Sequence, residues 1–412
     1  MIMKNKPQYF CLYLEPYTYI VLKKNHLLLY NTLDSTFIEE FIDKPCRKIF
    51  SYFITSKCYS QAISAKDTSE QFWKIIQNLR KKYMGDYYPI DTINDTLHFS
   101  FPFYLDFNLQ KTYSPLHITL QTETDLQKYI NTLCICPTNA RKEKECINIY
   151  YYEYDSNNTI IEDNIINKID DIIKDQFKIV QLPGISSLLL QFEELYGEDF
   201  IINQSIINCN YLYIQEIKAL SKSLWMNNNL NIYINLTYGF NKSYFIQESS
   251  KYAQIACFHF LIENKNQWQI AMSLITVHSI ERYQFSVYFN HSNLDFFKKH
   301  VYISEKEILK QEIKKQDLFI NMTLNKINFG KLFIFTNGSV YSAIGDKSLG
   351  NLKQKTIKEL VFKEMAQRKN WLKTRNKKPC KDCIYQYLCP PPSKYEEIIG
   401  HNNLCHVKQD HL

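Results

Sequence analysis

Aromatic and β-branched residues dominate the beginning of the chain, a pattern typical of strands. The run covers residues 8–32 and is interrupted at Pro16 and at the turn Lys23-Lys24-Asn25. It predicts two or three strands that form a small meander.

Three segments with helical spacing follow, each preceded by residues that can cap a helix. Asp34-Ser35 predicts a helix over residues 37–41, Asp43 predicts a second helix through Ile54, and Asp67-Thr68-Ser69 predicts a third over residues 70–79. The third helix would carry its apolar side chains on one face. This order of strands and then helices closes near Gly85, and we assign residues 1–88 to a small N-terminal α+β domain.

Between about residue 115 and residue 330, apolar strand-like runs alternate with amphipathic stretches, as in βαβ units that build a parallel sheet. The strand-like runs cover residues 116–122, 146–154, 177–183, 230–237, 253–262 and 283–289, and the helical runs cover 160–177, 211–225 and 266–280. Six such units would bend the sheet into a partial or full barrel. We therefore predict an α/β fold class, with a middle domain over residues 89–325.

The last part of the chain predicts a charged helix over residues 304–316, a hairpin and a further helix over residues 357–372. The pair Asn337-Gly338 is a strong signal for the tight turn of the hairpin. These elements lead into a cysteine-rich segment, and we assign residues 326–412 to a C-terminal domain.

Composition and charge exclude several classes of function. Only 9 of the 412 residues are glycine, and none lies in a dinucleotide-binding or P-loop pattern. The net charge of +7 is spread along helical faces, which favours solubility and gives no support to nucleic-acid binding. Since there is neither a run of 18 apolar residues nor a signal-peptide pattern, we expect a cytoplasmic protein without a membrane partner.

Four of the twelve cysteines are spaced like metal ligands, and in a reducing compartment disulfides are not expected. Cys380 and Cys383 form a C-x2-C pair, Cys389 follows six residues later, and Cys405 is more distant. One tight turn can direct the first two thiolates to the same metal, and the other two complete a four-sulfur set. The spacing leaves open an iron-sulfur cluster, a structural zinc site or plain buried cysteines.

Two histidines flank the last of these cysteines. His401 and His406 are candidates for a substitute ligand or for a group that supports the ligands.

The two ends of the chain resemble domains from the biosynthesis of ribosomally made peptide natural products. The order of elements in residues 1–88 resembles the winged-helix peptide-recognition domain. The hairpin Asn337-Gly338-Ser339-Val340-Tyr341, the later Leu349-Gly350-Asn351 and Trp371, and the C-x2-C-x5-C segment closely resemble the SPASM domain of radical SAM peptide maturases.

The SPASM resemblance implies which metal ligands are kept and which are lost. Family members usually hold two auxiliary iron-sulfur clusters, and Cys380, Cys383, Cys389 and Cys405 match the ligands of the second. Ser342 or Ala343, and Ser393, stand where the first cluster needs cysteines. The resemblance therefore implies one 4Fe-4S cluster, with zinc as the alternative.

The middle of the chain departs from the radical SAM pattern. A C-x3-C-x2-C motif holds three irons and leaves a fourth open for S-adenosylmethionine, but this motif is absent, as is a Gly-Gly-Glu type motif. Cys134, Cys136 and Cys146 have a different spacing. We therefore expect no bound S-adenosylmethionine and no radical chemistry.

Four stretches, FCLYLEPYTYIVL, LLLYNTL, LRKKYMGD and CIYQYLCPPPSKYE, are similar to pseudo-radical-SAM SPASM proteins found in Bacteroidota with GG-leader precursors. This resemblance implies a partial β/α barrel of the radical SAM type. It also implies an accessory role, with a precursor peptide and an active radical SAM maturase as partners.

The N-terminal sheet would then bind the precursor as an added strand. The candidate contact residues are Leu28, Tyr30, Phe72, Ile76 and Leu79, and for each of them ordinary core packing is the alternative. Two other functions stay open. One is an active iron-sulfur maturase that uses Cys134, Cys136 and Cys146 as unconventional ligands, and the other is a zinc-binding interaction module.

Overall fold

The architecture was obtained from a computed structural model of the whole chain. The described residues are 8–55, 59–93, 132–136, 178–181, 205–217, 230–236, 240–335, 337–343, 346–367 and 369–407.

Two three-stranded antiparallel sheets and two helices form the N-terminal region, defined as residues 8–93. One sheet has the order β5-β1-β6 and the other has the order β2-β3-β4. The elements are β1 (Tyr9–Leu14), β2 (Thr18–Lys23), β3 (His26–Asn31), β4 (Phe37–Phe41), α1 (Lys44–Thr55), β5 (Ser60–Ser64), α2 (Glu70–Lys81) and β6 (Gly85–Ile90). Both sheets and both helices contribute to one core, which we call the N-terminal core, built around residues such as Phe10, Leu29, Phe50 and Phe72.

Most of the predicted N-terminal elements are confirmed. Strands β1, β2 and β3 account for residues 8–32, and α1 and α2 are the second and third predicted helices. The hydroxyl of Ser69 caps α2 by accepting a hydrogen bond from the backbone N–H of Phe72 at 3.2 Å.

The helix predicted over residues 37–41 is wrong, because this segment is strand β4. It pairs with β3, with Ile38 opposite Leu29. Five residues are too few for a stable isolated helix, whereas the edge of β3 supplies hydrogen bonds for each second residue. Strands β5 and β6 were not predicted.

Nine strands of the described residues form one sheet, in the order β12-β11-β10-β9-β8-β7-β13-β14-β15. Neighbouring strands from β12 to β13 run parallel, which confirms the predicted parallel sheet. The elements of the middle region are β7 (Thr132–Cys136), β8 (Lys178–Gln181), β9 (Ser205–Asn210), α3 (Ile214–Ile217), β10 (Leu230–Asn235), α4 (Lys242–Gln247), β11 (Cys257–Ile262), α5 (Lys265–Val277) and β12 (Tyr283–Val287).

The remaining elements are mostly helical and end in the cysteine segment. They are α6 (Leu294–Val301), α7 (Glu305–Lys310), α8 (Lys315–Thr323), β13 (Lys331–Phe335), β14 (Ser339–Tyr341), β15 (Gly350–Asn351), α9 (Ile357–Gln367) and α10 (Lys394–Ile399). The antiparallel pairing of β13 and β14 confirms the hairpin. Strand β13 also pairs with β7, so the large sheet continues across residue 325.

The charged helix predicted over residues 304–316 is interrupted, because α7 ends at Lys310 and α8 begins at Lys315. The hydroxyl of Tyr30 donates to the carbonyl of Gln311 at 2.6 Å and accepts from the N–H of Ile313 at 3.1 Å. A side chain of the N-terminal region thus adds hydrogen bonds to the backbone of the loop between α7 and α8, where the N–H of Ile313 also donates to the carbonyl of Gln311 at 2.9 Å.

The structure confirms the α/β fold class but not a closed barrel. Within the described residues β12 and β15 are the two edges of the sheet. The predicted strands at 116–122 and 146–154 and the helix at 160–177 lie outside the described residues. Strands β7 and β9 were not predicted. No helix among the described residues combines the length and the apolar character that a membrane span requires.

A second core joins the N-terminal region to the cysteine segment, and we call it the shared core. One face of the β2-β3-β4 sheet contributes Leu28 and Tyr30, whereas the opposite face carries Leu27 and Leu29 into the N-terminal core. The members of the shared core are Tyr19, Val21, Leu28, Tyr30, Ile308, Leu309, Ile313, Leu318, Cys383, Ile384, Tyr385, Leu388 and Cys389. Sequence analysis did not predict this contact.

Candidate metal centre

The C-x2-C pair lies in a tight turn. A short 3-10 helix covers Cys380–Asp382, and the backbone N–H of Cys383 donates to the carbonyl of Cys380 at 3.1 Å. The N–H of Cys389 donates to the carbonyl of Tyr385 at 3.1 Å, and three prolines follow. Proline disrupts a helix interior, and the chain after Cys389 has no regular structure until α10.

Cys405, close to the last described residue, lies near the other three cysteines. It forms an isolated parallel bridge with Ile303, where the N–H of Ile303 donates to the carbonyl of Leu404 at 3.0 Å. The return of the chain to the segment before α7 thus positions the fourth cysteine.

All four predicted cysteines line one cavity, which we call the cysteine cavity. Cys380, Cys383 and Cys389 are 7%, 5% and 9% exposed, and Cys405 is partly exposed. Cys405 is therefore the most accessible of the four.

Burial favours the protonated thiol at Cys380, Cys383 and Cys389. It raises the pKa of Cys380 and Cys389, and it raises the pKa of Cys383 to about 12, while nearby Arg375 opposes the shift at Cys380 and Cys389. Thiolates, not thiols, bind metals, so metal binding here must displace protons.

Arg375 places a buried positive charge at the wall of the cysteine cavity. One of its guanidinium N–H groups donates to the sulfur of Cys380 at 3.5 Å, and another donates to Glu396 Oε1 at 3.0 Å. Its Nε donates to the carbonyl of Pro390. Sequence reasoning missed this residue, because Arg375 stands in a basic run that is otherwise typical of a solvated surface.

The donor set fits an all-sulfur metal group. Four cysteines, two of them in one tight turn, line one cavity, and a neighbouring cation would offset part of their negative charge as thiolates. Among the described residues, no three His, Cys, Asp or Glu side chains converge as ligands of a single metal ion. A cluster distributes its ligands over several metal atoms, so it requires a shared cavity rather than convergence on one point.

The two flanking histidines are exposed. His406 Nε2 contacts the backbone oxygen of Lys298 at 3.2 Å, and the His406 ring stacks at a tilt against Tyr302. The structure thus assigns His406 to contacts with α6 and its end.

A second buried polar site contains Ser342, one of the positions where the family resemblance implies a cysteine. Ser342 donates to Glu364 Oε2 at 2.5 Å, and the N–H groups of Asn370 and Trp371 donate to Glu364 Oε1 at 2.7 and 3.0 Å. Asn370 Nδ2 reaches both Ser342 and Asp346, and Asp346 pairs with Lys394 at 2.6 Å. We call this set the polar network.

The other two positions implied by the resemblance are occupied differently. Ala343 is 4% exposed and lies next to Ser342. Ser393 begins α10, where its hydroxyl donates to Glu396 Oε2 at 2.5 Å in a capping box. Both serines thus have partners of their own.

The five predicted peptide contacts are all fully buried, and the structure does not bring them together. Leu28 and Tyr30 belong to the shared core, whereas Phe72, Ile76 and Leu79 belong to the N-terminal core. The β2-β3-β4 sheet separates the two groups. Their contact with a peptide stays a prediction, and core packing is the role that the structure gives them.

Strand β4 presents an outer edge beside α2. The N–H of Ile42 donates to Asn25 and that of Asn31 donates to Thr36, so the backbone groups of Phe37, Glu39 and Phe41 face away from β3. The outward carbonyl of Phe41 accepts from Gln71 Nε2 at 2.6 Å, and that of Phe37 accepts from Lys82. Two polar side chains of α2 and its end therefore occupy this edge.

The unconventional ligands of the alternative enzyme are only partly within the described chain. Cys134 and Cys136 lie on β7, between β8 and β13. Cys146 lies outside the described residues.

Comparison with known proteins gives a distant structural likeness. No family model and no curated protein matches the chain. The crystal structures of Streptococcus suis SuiB bound to the precursor peptide SuiA and of SuiB bound to S-adenosylmethionine are similar at 13% sequence identity, with TM-scores of 0.41 and 0.42. Each alignment covers 95% of this chain and 97% of the SuiB chain, and TM-scores of this size do not establish a common fold.

Proposed function

We propose that this protein is an accessory pseudoenzyme in the maturation of a ribosomally synthesised peptide and that its four C-terminal cysteines hold one 4Fe-4S cluster. The single observation that carries the proposal is the meeting of Cys380, Cys383, Cys389 and Cys405 around one cavity. Bound there, a cluster would cross-link a segment poor in regular structure and add its binding free energy to that of folding.

The residues around the cavity support this role. Arg375 offers charge compensation and a hydrogen bond to a ligand sulfur, and Asn403 Nδ2 lies 3.5 Å from the sulfur of Cys405. Hydrogen bonds to thiolate ligands stabilise their negative charge.

We place the precursor peptide on the outer edge of β4. An added strand would form hydrogen bonds with the outward groups of Phe37, Glu39 and Phe41 and would displace Gln71 and Lys82 from the carbonyls that they occupy. The exposed ring of Phe41 lies on the same edge and offers an apolar contact.

The proposal has further parts that follow from the family resemblance. They are the three domains at 1–88, 89–325 and 326–412, the partial radical-SAM-type barrel, the cytoplasmic location, and a cognate radical SAM maturase as the second partner. With the C-x3-C-x2-C motif absent from the sequence, the chain itself would not use S-adenosylmethionine.

Metal analysis tests the cofactor. After anaerobic reconstitution we expect about four irons and four sulfides per chain, with visible absorption from sulfur-to-iron charge transfer. One zinc without visible absorption would replace the proposal by a zinc-binding interaction module. About eight irons, or 5′-deoxyadenosine formed with S-adenosylmethionine and a reductant, would support the active enzyme instead.

A matched pair of variants tests the peptide site. Phe41→Pro removes the outward N–H and should abolish binding of the precursor peptide in fluorescence anisotropy, whereas Phe41→Ala keeps this N–H and should retain most of the binding. Equal binding by both variants would contradict strand addition at β4.

A further inference from the structure

The cysteine cavity and the β2-β3-β4 sheet are parts of one packed unit. Cys383 and Cys389 line the cavity and are also members of the shared core, where they pack with Leu28 and Tyr30 of β3. Packed cores do not deform continuously, so the position of one member constrains its neighbours.

Polar contacts hold the same two parts together. Lys23 Nζ donates to the carbonyl of Lys381, inside the C-x2-C turn, at 2.9 Å. The hydroxyl of Tyr385, two residues after Cys383, lies within hydrogen-bond distance of the carboxylates of Glu39 on β4 and Glu305 on α7. The backbone that carries two of the ligands is thus tied to the end of β2 and to β4.

The other sheet of the N-terminal region contributes none of its described residues to the shared core. The apolar residues of β5-β1-β6 that enter a core, such as Phe10, Leu12 and Ile63, belong to the N-terminal core and not to the shared core. Only the β2-β3-β4 sheet therefore packs in the core that contains two of the four cysteines.

We propose that binding of metal at the four cysteines orders the β2-β3-β4 sheet through the shared core, so that β4 offers a fixed edge only in the metal-loaded protein. This inference rests on the proposed metal site. Without metal, the ligand-bearing turns are held by packing and by these hydrogen bonds only, and the sheet that packs on them opens more often. Binding to the folded, closed state shifts this local equilibrium by mass action.

Hydrogen exchange of the full chain tests the coupling. Protein reconstituted anaerobically with iron and sulfide, or loaded with Zn²⁺, is compared with chelator-treated protein. We expect amide exchange in residues 26–31 of β3 to slow by about tenfold on loading, while exchange in residues 60–64 of β5 changes much less.

Cys405→Ser is the matched variant, because Cys405 lines the cavity but is not a member of the shared core. It should fail to retain metal and should keep the fast exchange of β3 in the presence of either metal. Loss of the coupling in this variant would therefore not result from damage to the core itself.

The outcomes separate the two claims. If metal is retained but exchange in β3 is unchanged, or if β3 and β5 slow equally, the coupling is wrong while the metal site stands. If neither metal is retained by the unmodified protein, the metal site is wrong and the coupling falls with it.

Discussion

The cysteine cavity and the polar network are both buried in the C-terminal part of the chain, but they satisfy their polar groups in opposite ways. In the polar network, Glu364 is fully buried and accepts three hydrogen bonds from protein donors. In the cysteine cavity, four cysteines line one space, the Arg375 guanidinium donates to the sulfur of Cys380, and that sulfur donates to the carbonyl of Asn402 at 3.3 Å. The polar groups of the polar network are thus paired within the protein, whereas the cysteines of the cavity are the groups to which we assign a metal cluster.

The two serines that stand where the SPASM resemblance implies cysteines have structural roles of their own. Ser342 hydrogen-bonds within the polar network and Ser393 caps α10.

The largest expected effect comes from removing a ligand of the cysteine cavity. Cys383→Ala should strip the bound metal, since one of four thiolates is lost and the site is no longer closed. Metal content per chain measures the effect. Cys46→Ala is the control, because Cys46 is buried in the N-terminal core, and it should keep the metal. Unchanged metal in Cys383→Ala would contradict the ligand assignment.

The next effect concerns the charge at the cavity wall. Arg375→Met leaves Glu396 buried without its cation and should lower the free energy of unfolding by about 3–5 kcal/mol. Adding Glu396→Gln should recover part of this loss in denaturant unfolding. If Arg375→Met leaves the free energy of unfolding unchanged, the ion pair between Arg375 and Glu396 does not stabilise the folded protein.

A smaller effect is expected in the polar network. Glu364→Ala leaves the hydroxyl of Ser342 and two backbone N–H groups without an acceptor and should cost about 3 kcal/mol in denaturant unfolding. Exposed Glu312→Ala should change stability by no more than about 0.5 kcal/mol. Metal content should stay unchanged in both variants. Metal loss in Glu364→Ala would show that the two sites are not independent.

The smallest effect is a pH dependence of the polar network. Burial alone would raise the pKa of Asp346, but hydrogen bonds from Lys394 and Asn370 hold it below its ordinary value of 3.8. The folded state therefore binds this proton less readily than the unfolded chain, so the stabilisation is present above pH 3.8 and is lost as the pH falls through the lower, folded value. Asp346→Asn should make the free energy of unfolding depend less steeply on pH across this acidic range. An unchanged pH dependence in the variant would contradict the assignment.

The regular elements were predicted where the sequence pattern alone decides the structure. Helix α2 has a capping serine and four apolar residues on one face, and the hairpin has its Asn-Gly turn, so both are confirmed. Strand β4 was missed because Asp34-Ser35, just before it, suits the start of a helix. Only the pairing with β3 shows that residues 37–41 are a strand.

The candidate site was predictable in its ligands but not in its surroundings. Spacing identified the four cysteines, and the structure brings them to one cavity. Arg375 and the contact between Tyr30 and the loop at Gln311 depend on pairings between distant parts of the chain, which no local pattern encodes.

The shared core also sets an order of events during synthesis. Strand β3 leaves the ribosome long before residues 308–389, which cover the face that carries Leu28 and Tyr30. Until those residues emerge, this face is an apolar surface without its cover, the kind of surface on which nascent chains aggregate or recruit chaperones. The newborn protein can therefore bury this face of the β2-β3-β4 sheet only after residues 308–389 have left the ribosome.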